Sequence, residues 1–243
     1  MLSGFFAFII TYLSGFIYER LIGTTWILIC PALGGLLAGI IIQYGSISAR
    51  GHGVPLLLTT IKSKKSKLTT VDLFVEGIAS IITISSGGSA GRIGPVVEIG
   101  SGIGDLIGHR FNFNIDIYRT ILGCGAAAAI SAIFHAPLGG IMFVIEIFYK
   151  EFKKINIGMI VISSVSAEIL ARRVFGYKPL FELPNFYIND IHEYILYLIL
   201  GLLTGILSYL FILSLHKIND LFTDIKRIPY YIKATVGGLI VGI

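Results

Sequence analysis

Three stretches of this chain, residues 21–49, 120–145 and 194–216, contain no Asp, Glu, Lys or Arg. A helix rises about 1.5 Å per residue, so roughly 20 apolar residues cross the ~30 Å hydrocarbon core of a bilayer. Each of these runs is long enough. Only 14% of the 243 residues are charged, against about 25% in an ordinary soluble domain. The chain is therefore predicted to be an all-α, multi-pass integral membrane protein, with the lipid bilayer as its solvent, and a soluble enzyme is excluded.

Residues 2–18 are also uncharged. They lack the basic start and small-residue cleavage site of a signal peptide, and are read as a retained helix. The net charge of +5 is parcelled into short loops and not gathered in a stripe with interleaved aromatics, so no nucleic-acid partner is expected. Lys62, Lys64, Lys65 and Lys67 put four lysines within six residues, which assigns their loop to the cytoplasm by the positive-inside rule. The two cysteines, Cys30 and Cys124, lie inside apolar runs and lack the paired spacing of a metal site. Neither metal nor cofactor is expected, and no linker marks off a soluble domain.

Helices are predicted over residues 2–20, 25–46, 54–62, 70–84, 93–108, 117–134, 137–151, 155–174, 190–218 and 229–243. Between residues 51 and 108 the apolar runs are shorter than a bilayer and are broken by Gly and Pro, which reads as re-entrant half-helices. Backbone breaks at membrane depth only where protein or a water-filled cavity satisfies the freed N–H and C=O groups, so this region points to a site. The last helix reads as cut off, with only ten residues after Lys233.

Residues 33–40 and 236–243 resemble one another, with Gly34/Gly237, Gly35/Gly238, Leu36/Leu239, Gly39/Gly242 and Ile40/Ile243 identical at an offset of 203. Small-residue spacing of this kind is also ordinary helix-packing vocabulary. A long apolar helix precedes each copy, and internal repeats with broken helices are a mark of transporters. The expected division is a first repeat over residues 1–188 and the incomplete start of a second over residues 189–243.

Two segments carry the chemistry. Gly51, His52, Gly53, Val54 and Pro55 precede one short helix, and Gly91, Arg92, Ile93, Gly94 and Pro95 precede another. Glycine lets a ligand approach the backbone closely, and Pro at the first helical position leaves neighbouring N–H groups pointing outward. A helix start carries roughly half a positive charge and free donors. Two such starts facing one another would bind a dehydrated anion; each alone is also an ordinary helix-start turn.

In their order, these residues, with the helix over residues 31–39, residues 89–95 and residues 135–146, resemble the CLC family of chloride channels and proton-coupled chloride transporters. The resemblance implies an inverted-repeat membrane fold, a homodimer with one anion pathway per subunit, and a place in the plasma membrane. It assigns anion binding to His52, Gly53, Val54, Gly91, Arg92, Ile93 and Gly94, with Pro55 and Pro95 at the helix starts. No catalytic residue is expected.

Three departures from the family pattern shape the reading. The gate position, a glutamate in the family, is Ile93. The inner proton glutamate is replaced by Ile147, beside a retained Glu146. An isoleucine neither mimics an anion nor carries a proton, so passive conduction of chloride or a similar small anion is expected. The third departure is His52, where the family has a serine: either its ring N–H donates to the anion, or the ring turns away and the Gly53 and Val54 N–H groups bind. Which anion is carried stays open.

Arg92 either pairs with Glu98 or supplies field near the pathway, a lone charge being costly in an apolar setting. Gly100, Gly104 and Gly108, and Gly201 with Gly205, are read as packing stripes. Two other readings compete. One is a non-conducting, truncated or split half of such a transporter, since the family's third motif and its tyrosine do not occur in the sequence. The remoter one is an intramembrane enzyme with Ser89 as nucleophile and His135 as base, which would need a third group to orient the histidine; none is evident.

Overall fold

The computed structural model describes residues 26–45, 69–149, 156–176, 192–224 and 228–242, with scattered positions between 9 and 20. The expectations for His52, Gly53, Val54, Pro55, the helix at 54–62 and the lysine loop lie outside the described residues. Among those described, every regular element is helical: α1 Trp26–Gly45, α2 Thr70–Ser85, α3 Ile93–Arg110, α4 Ile115–Phe134, α5 Pro137–Val144, α6 Ile157–Phe175, α7 His192–Asp224 and α8 Tyr230–Gly242. The predicted bounds of the described helices hold to within two residues at most ends; α7 runs to Asp224, six residues beyond the predicted end at 218, and two further differences have a local cause. The helix expected over 137–151 is α only to Val144 and continues as a π turn, Ile145–Tyr149. And α4 begins at Ile115, because the Asn114 side chain accepts the Ile117 N–H at 2.9 Å and so satisfies one of the donors left open at a helix start.

Comparable caps start the neighbouring helices. Thr69 and Asp72 form a reciprocal capping box on α2, and Asn156 accepts the Met159 N–H on α6. At the far end of α4, His135 takes a left-handed conformation with φ 52°, and Pro137 occupies the start of α5. Those two residues split the uncharged run 120–145 into separate helices.

The chain forms two compact units, one of residues Met1–Leu180 with Tyr230–Ile243, the other of Phe181–Pro229. In the first, α4 is central: α3, α5 and α6 all pack on it, around Val97, Tyr118, Leu122, Ile130, Ile141, Val144 and Ile160. Lipid tails are as apolar as leucine, so close helix approach through small residues must supply much of the stability. The α3 stripe does so. A Cβ on Gly100 would run into the Gly125 carbonyl oxygen, one on Gly125 into the Gly100 carbonyl oxygen, and one on Gly104 would sit 2.8 Å from the Ile121 oxygen.

A second seam joins α1 to α8. A Cβ on Gly35 would meet the Ala234 carbonyl, and one on Gly238 the Pro31 carbonyl; Gly39 lies against Tyr231, and Gly242 against Leu28. The helices therefore run antiparallel. Shifting any of these pairs by the 203-residue offset of the sequence repeat gives another of them, so the seam has a local pseudo-two-fold axis, as an inverted pair of segments requires.

The α3–α4 hairpin is clamped at its other end by a buried polar pair. Tyr118 OH donates to the Asp105 carboxylate, both residues being fully buried, and His109 Nε2 stands 3.3 Å from the same carboxylate. Tyr118→Phe removes that donor from a buried acid and is expected to cost about 1–3 kcal/mol, seen as a lower thermal midpoint in detergent. An unchanged midpoint would show that the pair contributes nothing to stability.

The second unit contains α7, whose 33 residues span about 50 Å at 1.5 Å per residue. It exceeds the hydrocarbon thickness, which calls for tilt or for ends reaching the interface. Among the described residues its Gly201 and Gly205 have nothing within 4 Å of an added Cβ, so this stripe packs on none of them. Windows in α1, α4 and α7 (Leu28–Gly45, Ile115–Phe134 and His192–Phe222) are long and apolar enough to cross a membrane.

Candidate anion site

The described part of the site is the passage from α2 into α3. The last carbonyls of α2 are taken up locally: Ser86 N–H bonds to Ile82 O, Gly87 N–H to Ile84 O and Gly88 N–H to Thr83 O. Gly87 has φ +95°, a left-handed value that glycine adopts without the Cβ clash. The chain then reaches Arg92, which starts α3 with no side-chain cap on the helix. The donors of the first turn are therefore left to the backbone, and Ile93 and Gly94 present theirs at the positive end of the helix dipole.

The helix begins at Ile93, so Pro95 is the third helical residue and not the first, as the sequence reading had it. The reason is that the whole first turn lacks intrahelical partners for its N–H groups, so a proline ring fits there as readily as at the first position. Gly91 and Gly94 have no positive φ, and among the described residues a Cβ on either would meet nothing within 4 Å. Neither glycine is required by its own backbone conformation or by packing against a described residue. Toward the described residues the space before both is open.

Ile93 is 44% exposed at the first position of α3. Ile147 lies in the π turn and packs against the α4 core, while Glu146 beside it is exposed. The structure describes both isoleucine positions but only one of the two helix-start motifs.

Glu98 is 1% exposed and is hydrogen-bonded to Glu76 of α2, a partner the sequence reading missed. The available signal was Glu76 itself, a carboxylate in the apolar run that follows Asp72.

The expectation that nothing orients His135 is overturned. Its Nδ1 lies 3.1 and 3.2 Å from the two oxygens of Glu168, and Glu168 also accepts from Arg172 Nε. Among the described residues no group of three or more His, Cys, Asp or Glu is arranged to hold a metal ion.

The broken helices and the glycine-lined seam define an all-α membrane fold, and sequence comparison gives it a family. The voltage-gated chloride channel family matches residues 34–243, and the chain belongs to it. A Ralstonia nicotianae protein whose name describes it as a ClcB-like chloride channel protein is 32% identical over 88% of this chain and 51% of its own length. The H(+)/Cl(-) exchange transporter ClcA of Vibrio cholerae is 31% identical over 74% of this chain and 39% of its own. A slow cyanobacterial Cl-/H+ antiporter superposes over 100% of the chain and 59% of its own, with a TM-score of 0.82 and 22% identity, a likeness of fold. The chain thus spans about half the length, or less, of these curated relatives.

Proposed function

We propose that this chain contributes to the anion pathway of a multi-pass membrane protein that conducts chloride or a similar small anion passively. The observation that carries this reading is the pair Ile93 and Ile147: neither side chain accepts a proton, and Ile93 stands at the open start of α3. In this reading the N–H groups of Ile93 and Gly94, with those of His52, Gly53 and Val54, replace part of the anion's water, and Arg92 adds field near the pathway. Partial charges at a helix start hold an anion more loosely than a fixed ammonium would, which suits passage.

The proposal extends to the whole protein, of which these residues supply one part, as a homodimer in the plasma membrane. Residues 1–188 and 189–243 belong to two inverted repeats, and the loop with Lys62, Lys64, Lys65 and Lys67 faces the cytoplasm.

The test is reconstitution of the full-length protein in liposomes under a chloride gradient, following chloride efflux and external pH together. Efflux without proton movement is expected. Proton uptake driven by chloride would overturn passive conduction in favour of coupled exchange, the reading that the exchanger names among its relatives favour. Absence of any efflux would favour a non-conducting half.

A further inference from the structure

We infer that His135, Glu168 and Arg172 are positioning residues for the first turn of α3, an inference that rests on the anion reading of that turn. Three observations join the two places. First, His135 ends α4 with φ 52°, a conformation L-residues other than glycine seldom take, and its ring is held there by Glu168. Both side chains are nearly buried, at 9% and 6% exposure. Glu168 is itself fixed by Arg172, whose side chain is half exposed in the last turn of α6.

Second, this is the last of several polar rungs between α4 and α6, among them Ser163 Oγ donating to the Cys124 carbonyl. One turn earlier Ser131 and Ser164 share a hydrogen bond, and Ser164 also donates to the Pro137 carbonyl at 2.8 Å. The end of α4 and the start of α5 are thereby tied to α6.

Third, the last turns of α4 support the start of α3. Val96, fully buried, packs with Ala129 and with Ile133, and Ile133 is two residues before His135. The first backbone bond of α3, Val96 N–H to Arg92 O, is long at 3.4 Å, so that turn leans on this packing. Releasing His135 frees the end of α4 to fray, Ile133 follows, and the N–H groups of Ile93 and Gly94 lose their fixed direction. A preorganised donor set depends on such support.

The experiment compares full-length wild type, Glu168→Gln and Glu168→Asp in lipid nanodiscs by amide hydrogen exchange, and in liposomes by chloride and nitrate efflux. Glu168→Gln keeps the shape and removes the charge. It is expected to speed exchange at Val96 and Val97, the first bonded amides of α3, about tenfold while α1 is unaffected, and to shift the chloride-to-nitrate efflux ratio. Glu168→Asp is expected to recover part of both, a rescue that mere loss of folded protein would not give. Should Glu168→Gln not yield folded protein, His135→Gly serves, because glycine takes the left-handed backbone freely while the ion pair is lost; the same rise in exchange is expected. Wild-type exchange at the start of α3 in the variant would overturn the inference. Faster exchange in the variant, with no efflux from wild type, would uphold the positioning role and overturn the anion reading instead.

Discussion

Leucine in place of Gly100 is expected to prevent α3 from docking on α4. A Cβ there falls against the Gly125 carbonyl oxygen and 2.7 Å from the Ala129 Cβ, and neither is the movable end of a flexible side chain. The helices must separate, and the Asp105–Tyr118 pair farther along the hairpin is disturbed with them. Overpacking usually costs about 1–3 kcal/mol; with two backbones in contact the upper end or more is expected, so that Gly100→Leu gives little monodisperse protein in detergent. Gly125→Leu meets the Gly100 carbonyl and is expected to fail equally. Normal yield and thermal midpoint in either variant would contradict so close a crossing.

Alanine at Gly94 is expected to do the opposite: to leave the fold intact and suppress transport. Its added methyl meets no atom of the described residues, and alanine is favoured over glycine in a helix by up to about 1 kcal/mol, so the thermal midpoint should hold or rise. If the open space before Gly94 is where an anion meets the backbone, that methyl intrudes on it, and chloride efflux from the full-length protein should fall at least about tenfold, the equivalent of roughly 1.4 kcal/mol. Efflux at the wild-type rate would remove the Gly94 N–H from the pathway. Gly94 and Gly100 stand on the same helix, yet the two substitutions separate a glycine kept for a ligand from one kept for a neighbour.

Helix positions were legible because charge and proline mark their ends: the run 21–49 contains α1, and Pro137 opens α5. The π turn was not legible, since residues 145–149 continue the apolar pattern of α5 and a single widened turn leaves no trace in it. The repeat was legible from five identities at an offset of 203. That its copies face one another was not, because periodicity says which face of a helix is small and not what fills it. Motif order singled out Ile93 and Ile147 as candidates. The partners of the buried acids were missed for one physical reason: Glu98 meets Glu76 from another helix, and Glu168 meets His135 across 33 residues. Ion pairs between helices follow the packing of the whole unit, and spacing along the chain carries little of that.

The reciprocal seam between α1 and α8 has a consequence for how the protein is made. Its two faces are separated by almost the entire chain, Gly35 from Ala234 and Pro31 from Gly238. A ribosome adding about 5–20 residues per second needs roughly 10–40 s to synthesise some 200 residues. Through that interval α1 has already emerged while the helix that will cover its glycine face does not yet exist. Its other neighbour, α2, comes much sooner, and Gly34 lies against Ser86 and Gly45 against Val75. Assembly therefore proceeds from one side of α1 to the other, with the small-residue face left to lipid until the late helix arrives.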